Sequence, residues 1–284
     1  MKLPPFAYAR AGSVDEALEL LADAGGDAKL LAGGQSLVPV LAYRLFRPAR
    51  LVDVDSVAGL DDIGERDGEL EVGALVRHAR LERAELGGAH RLLALAAREI
   101  GHAPIRTRGT LGGSLAHADP AAELPVAAVA LDARVVARSA RGEREIAIDD
   151  FLLGPFTTAL EPDEMIVALR MPAAPARSFA SFREFALRSG DFALASAGVA
   201  IALGEDGAVS RARIVVGGVE PVPRSMDALP AGARLDPETI SDAAELAAAS
   251  CEPADDRSVD AATRRDLVAA LVRRALSDVG AQAA

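Results

Sequence analysis

LLAGGQSLVP, residues 30–39, sets two glycines between a short apolar run and the polar pair Gln35–Ser36. Lys29 to Ala32 reads as a buried strand, and the residues after Ser36 read as a short helix. A chain that leaves a strand, turns on Gly33–Gly34 and enters a helix aims successive backbone N–H groups at one point. Glycine permits positive φ and close approach by a ligand. Such a nest at a helix start binds anionic oxygen without any cationic side chain, and Ser36 adds a hydroxyl. The same residues also suit an ordinary left-handed turn between strand and helix, so this stretch alone leaves both readings open.

RGTLGGSLAHADPAAELP, residues 108–125, repeats the pattern, with Thr110 and Ser114 placing hydroxyls on either side of Leu111, Gly112 and Gly113. It is expected to offer the same anion-binding chemistry as the first turn. Two such turns, nearly eighty residues apart, suggest a long ligand held at two places with a diphosphate at its centre. Lys29 precedes its glycines and no GxxxxGK[ST] string occurs, which excludes a P-loop. No GxGxxG follows the first strand, which leaves a Rossmann site unsupported.

The wider composition narrows the classes. A chain of 284 residues, 50% hydrophobic and 26% charged, folds as one large domain or two small ones with real cores. A net charge of −11, with dispersed arginines and lysine only at positions 2 and 29, argues against nucleic-acid binding. Cys251 is the single cysteine, so this chain assembles no disulfide, iron–sulfur cluster or cysteine-rich zinc site by itself. His78, His90, His102 and His117 are scattered without ligand spacing, so no metal is expected, and neither His117 nor Asp119 is given a catalytic role. The opening residues carry no apolar signal-peptide core. The longest uncharged run, Leu30 to Tyr43, is too short to span a bilayer, and the reading expects a cytoplasmic protein without a transmembrane segment.

The pattern of elements is α+β. Ser13 to Glu16 forms a capping box before an amphipathic helix that Gly25–Gly26 ends, and Leu51 to Val54 reads as a strand. Hairpins are expected at Asp67–Gly68, Arg141–Gly142 and Asp206–Gly207. Helices are expected over 91–101, 121–131, 237–250 and 262–279, and strands over 164–171 and 181–187. Pro172 to Ser178, PAAPARS, has two prolines and no periodicity and reads as the internal boundary.

AGGQSLVP (32–39), PIRTRGTLGGSLAHADPAAELP (104–125) and RSGDFALA (188–195), in this order, resemble the FAD-binding medium subunit of molybdenum hydroxylases. The likeness is to the carbon monoxide dehydrogenase type, related to the FAD domain of xanthine dehydrogenase, and it runs the length of the chain. It implies a two-subdomain FAD-binding fold of the vanillyl-alcohol-oxidase/cell-wall-reductase (PCMH) type over residues 1–172, with subdomains of about 1–55 and 56–172. A C-terminal α+β domain with a small antiparallel sheet and helices, of the CO dehydrogenase flavoprotein kind, follows over 178–284.

By the same resemblance Lys29, Leu30 and Leu31 feed the first pyrophosphate loop, Ala32, Gly33, Gly34, Gln35 and Ser36. Gly109, Thr110, Leu111, Gly112, Gly113 and Ser114 form the second loop, with Ala116 just beyond it. Glu123 falls near the sugar portion, Ile100 and Ile166 pack on the cofactor, and Arg183 and Phe192 close over the flavin. Each also has a plain reading: Glu123 as a helix-start carboxylate, the isoleucines as core, and Arg183 in a salt bridge to Glu184 or Glu164. The implied function is electron transfer through noncovalent FAD, since neither loop holds a His or Cys to bond the flavin. Electrons would come from a small [2Fe–2S] subunit fed by a large molybdopterin subunit, in a heterotrimer that is usually doubled, and no catalytic residue is needed from this chain. The competing readings are a self-contained FAD oxidase or reductase and a scaffold with a vestigial site.

Overall fold

The capping box forms, displaced by one residue. Ser13 Oγ accepts from the Glu16 N–H at 3.1 Å, and the Glu16 carboxylate accepts from the Gly12 N–H at 2.7 Å. The helix it starts belongs to the first of three layers in the computed structural model, which describes residues 2–255 and 259–284. That layer runs β1 (Ala7–Arg10), α1 (Val14–Ala22), β2 (Ala28–Leu31), α2 (Leu37–Ala42) and β3 (Arg50–Asp53). Its strands form a parallel sheet in the order β1-β3-β2. The first strand was not expected, because its four residues are mostly exposed and carry no alternation to read. Ala17, Leu18 and Leu21 of α1 pack with Val52, Val54 and Val57, and this cluster continues into Leu75, Val136, Met165 and Val167 of the next layer.

The second layer opens with β4 (Ile63–Arg66), β5 (Glu69–Gly73), α3 (His78–Leu81), α4 (Arg91–Glu99), α5 (Ala103–Arg106), α6 (Leu111–His117) and α7 (Glu123–Ala130). It continues through β6 (Arg134–Ser139), β7 (Gly142–Ala147), α8 (Ile148–Phe151), β8 (Leu152–Gly154), β9 (Thr157–Thr158) and β10 (Met165–Met171). The hairpin turns form at Asp67–Gly68, both at positive φ, and before Gly142. Between those hairpins β10 inserts, giving the antiparallel order β4-β5-β10-β6-β7. Helix α7 starts at Glu123 and not at Ala121, because Asp119 Oδ1 accepts the Ala121 N–H at 2.9 Å and holds a turn ahead of it. All eight residues of α7 are buried.

The third layer is a meander of β11 (Ser178–Phe185), β12 (Ala195–Leu203), β13 (Val209–Gly217) and β14 (Arg224–Met226), followed by α9 (Pro237–Ala249) and α10 (Ala261–Ala283). One face carries α9 and α10, and the other face lends Ala180, Phe182, Ala200 and Val215 to the core around α4 and α7. Cover on both faces explains why every residue of β12 is buried. β11 starts three residues before the expected Ser181 and ends before Leu187, since Ser178 is drawn in by the Ala89 N–H, which donates to its hydroxyl at 3.0 Å. Cys251 lies buried past the end of α9 with its thiol on the Ala247 carbonyl, and burial pushes its pKa up to about 11. Among the described residues no helix is long and apolar enough to cross a membrane.

Candidate cofactor site

β2 pairs with β3 as far as Leu31, and the chain then turns through Ala32–Ser36 into α2. Gly34 sits at φ +73°, which an L side chain rarely adopts, and its carbonyl accepts from the Val38 N–H at 3.1 Å to open the helix. No acceptor among the described residues meets the N–H groups of Gly33, Gly34, Gln35 or Ser36. The Gln35 amide folds back to the Gly33 carbonyl at 3.1 Å, and the Ser36 hydroxyl makes no capping bond. These open N–H groups are the donors an anion nest uses.

The second loop differs from its expected chemistry. Leu111 N–H donates to Val76 O at 3.0 Å, Gly112 N–H to Ala74 O at 2.8 Å and Ser114 N–H to Thr110 O at 3.0 Å. Gly113 N–H reaches the Thr110 hydroxyl at 3.2 Å. These donors are engaged because Thr110 caps α6 and because the loop is stitched to residues 74–76. Here glycine supplies thinness: a Cβ on Gly112 would stand 2.7 Å from Ala74 Cβ, and one on Gly33 would overlap the Arg108 carbonyl oxygen. The two glycine loops therefore meet backbone to backbone. Arg77 fastens the meeting point by pairing with Asp55 and donating to that same Arg108 carbonyl, and Arg108 reaches Asp55 at 3.4 Å.

The other expected residues are distributed around this seam. Ala116 is exposed on α6, Leu111 is fully buried, and Lys29 holds its ammonium 5.9 Å over the Phe46 ring, with Leu30 and Leu31 half-buried on the same strand. Ile100 and Ile166 both belong to the core around α4 and α7. Arg183 forks onto Asp278 at 2.7 and 2.9 Å, not onto Glu184 or Glu164, and Glu164 is taken by Arg144. Phe192 is 74% exposed. Its loop lies on the entry to the second glycine loop, since any side chain on Gly190 would overlap the His102 ring ahead of α5. The structure thus gathers the first loop, the second loop and the 188–192 turn, while Arg183 is committed to α10.

The open N–H groups of the first loop suit a diphosphate oxygen, whereas the thinness of the second loop is used against His78 and Ala74. Residues 4–174 match the family described as FAD binding domain in molybdopterin dehydrogenase, and residues 180–279 match the CO dehydrogenase flavoprotein C-terminal domain. The chain belongs to this family of FAD-binding flavoprotein subunits. It is 43% identical over 281 residues to the 6-hydroxypseudooxynicotine dehydrogenase complex subunit alpha of Paenarthrobacter nicotinovorans, covering 98% of this chain and 95% of that one. It is 39% identical to the nicotine 6-hydroxylase medium subunit of the same organism, covering 99% of this chain and all of that one. A carbon monoxide dehydrogenase structure from Hydrogenophaga pseudoflava, lacking the Mo-pyranopterin moiety, superposes with a TM-score of 0.94 at 34% identity, covering 100% of both chains. The chain is a flavoprotein subunit of the carbon monoxide and xanthine dehydrogenase type.

The structure couples two carboxyls, Glu123, which the resemblance places near the cofactor's sugar, and Glu184, which the sequence offered only as a partner for Arg183. Glu123 is 8% exposed at the first turn of α7, and burial, then Asp119 and Glu99, push its pKa up to about 7. Glu184 is held up at about 8 by burial, then by Glu123 and Glu99, and its Oε2 is buried without a partner. No local signal marks Glu184, because only the packing of α4 against both β11 and α7 brings these carboxyls together.

Proposed function

We propose that this chain is the electron-relay subunit of a molybdenum hydroxylase. FAD, when bound, supplies the redox chemistry of its isoalloxazine ring, taking electrons from [2Fe–2S] clusters of a small partner and giving them to an external acceptor. The observation that carries this reading is the open set of N–H groups at Gly33–Ser36, in a loop whose Gly33 packs against Arg108 and Gly109 at the start of the second loop. In a PCMH-type arrangement over residues 1–172, with the 178–284 domain closing one end, those N–H groups and the Ser36 and Ser114 hydroxyls hold the diphosphate. Ile100 and Ile166 keep water from the ring, and the Glu123 carboxylate accepts from a sugar hydroxyl. Phe192 shields the ring edge. The large partner carries molybdopterin and selects the substrate. Relatives named for nicotine hydroxylation and 6-hydroxypseudooxynicotine dehydrogenation support an assembly of this kind, which we place in the cytoplasm as a doubled heterotrimer.

The full chain should take up one FAD, without a covalent bond, since no His or Cys lies in either loop. Acid precipitation of the loaded protein should leave yellow flavin in the supernatant. Colour that stays with the pellet contradicts noncovalent binding, and failure to take up FAD contradicts the reading as a whole.

A further inference from the structure

Beneath the second glycine loop lies a histidine with no part in the account so far. His78 opens α3 and is 6% exposed. Its Nε2 stands 2.9 Å from the Thr110 carbonyl oxygen, and a carbonyl only accepts, so Nε2 carries the hydrogen and Nδ1 is bare. That bare nitrogen is buried without a partner. The imidazole stays neutral, with its pKa lowered to about 4 by burial and by the nearby Arg106 and Arg77 guanidiniums. Gly109 lies flat against the ring, where a Cβ would stand 2.7 Å from both Cε1 and Nδ1. The His78 N–H also donates to the Gly109 carbonyl at 3.0 Å, so the residue grips the loop at two consecutive positions.

Thr110 is where that grip matters. Its hydroxyl accepts from the Gly113 N–H, and its carbonyl accepts from both the Ser114 N–H and His78. Fixing Thr110 therefore fixes the orientation of Gly113 and Ser114, and the hold on Gly109 fixes the part of the loop against Gly33. We infer that His78 is a positioning residue for FAD, whose Nε2–H donor to the Thr110 carbonyl holds the second glycine loop in its binding conformation. This rests on the FAD reading proposed above.

The test is a titration of the full-length apoprotein with FAD, followed by flavin fluorescence, alongside melting curves without FAD. His78→Leu removes the donor and should weaken FAD binding about tenfold, the usual worth of one hydrogen bond. His78→Gln carries an amide N–H near the position of Nε2 and should restore affinity to within about twofold of wild type. Should the Leu variant not fold, His78→Asn, whose amide is too short to reach the carbonyl, takes its place and should bind as weakly. A lowered melting temperature with unchanged FAD affinity gives His78 a structural role only and overturns the inference. Equal weakening by Leu and Gln does the same. If the wild-type chain takes up no FAD, the proposed function fails first; if it binds FAD and the Leu variant binds equally well, only the positioning role fails.

Discussion

Gly33→Ala is expected to strip the chain of FAD and to lower its melting temperature. A methyl group at this position would overlap the Arg108 carbonyl oxygen, and it would lie 2.8 Å from the Arg108 carbonyl carbon and 2.9 Å from Gly109 Cα. These are backbone atoms and none can swing aside as a side chain would. Relief requires the two loops to part, which also pulls Arg77 from either Asp55 or the Arg108 carbonyl. Overpacking of this kind costs about 3 kcal/mol, which corresponds to weakening of FAD on the order of 100-fold where it falls on binding. On stability the same strain lowers the melting temperature by roughly 10 °C. Gly64→Ala is the control, since nothing lies within 4 Å of its Cβ position and it should behave as wild type. Wild-type FAD affinity in Gly33→Ala would mean that the loops do not meet as described.

Glu123→Gln should move stability and FAD affinity in opposite directions. Its carboxyl is raised from 4.5 to about 7, chiefly by burial. A carboxyl whose pKa is higher folded than unfolded ionises more readily in the unfolded chain, so stability falls as pH rises between 4.5 and about 7 and is flat above. The shift corresponds to about 3 kcal/mol at pH 8, an order-of-magnitude figure for a nearly fully buried group. Glutamine has no charge to desolvate. The apo variant should therefore be more stable than wild type at pH 8, equal to it at pH 4, and flatter in melting temperature between the two. Glu184, whose ionisation Glu123 opposes, should titrate lower in the variant. With FAD the order reverses above pH 7, where the wild-type carboxylate is the better acceptor for a sugar hydroxyl. Parallel pH-dependence of wild type and variant would show that Glu123 does not carry the raised pKa.

What the sequence disclosed and what it hid divide along the range of the interactions. The Ser13 cap, the Asp67–Gly68 turn and the ranges of the last two helices are settled by neighbours within a few residues, and all are legible. β1 was not, because its partner β3 lies more than forty residues away and its exposed side chains show no period. The first glycine loop could be read as a nest because its donors depend only on local backbone. The second could not be distinguished from it, since its N–H groups are spent on Ala74 and Val76, residues that only the folded chain brings near. For the same reason Arg183 was matched to acids close in sequence, whereas its partner Asp278 comes from the last helix. His78 and Glu184 gave no sign in sequence, because a buried orphan atom is a property of packing.

The central claim is that the seam between Gly33–Ser36 and Gly109–Ser114 holds the FAD diphosphate. A crystal structure of the full chain loaded with FAD tests it most directly. It should show diphosphate oxygens within hydrogen-bond distance of the Gly33–Ser36 N–H groups, with the second loop against the opposite side. A diphosphate bound elsewhere, with those N–H groups hydrated, would contradict the account.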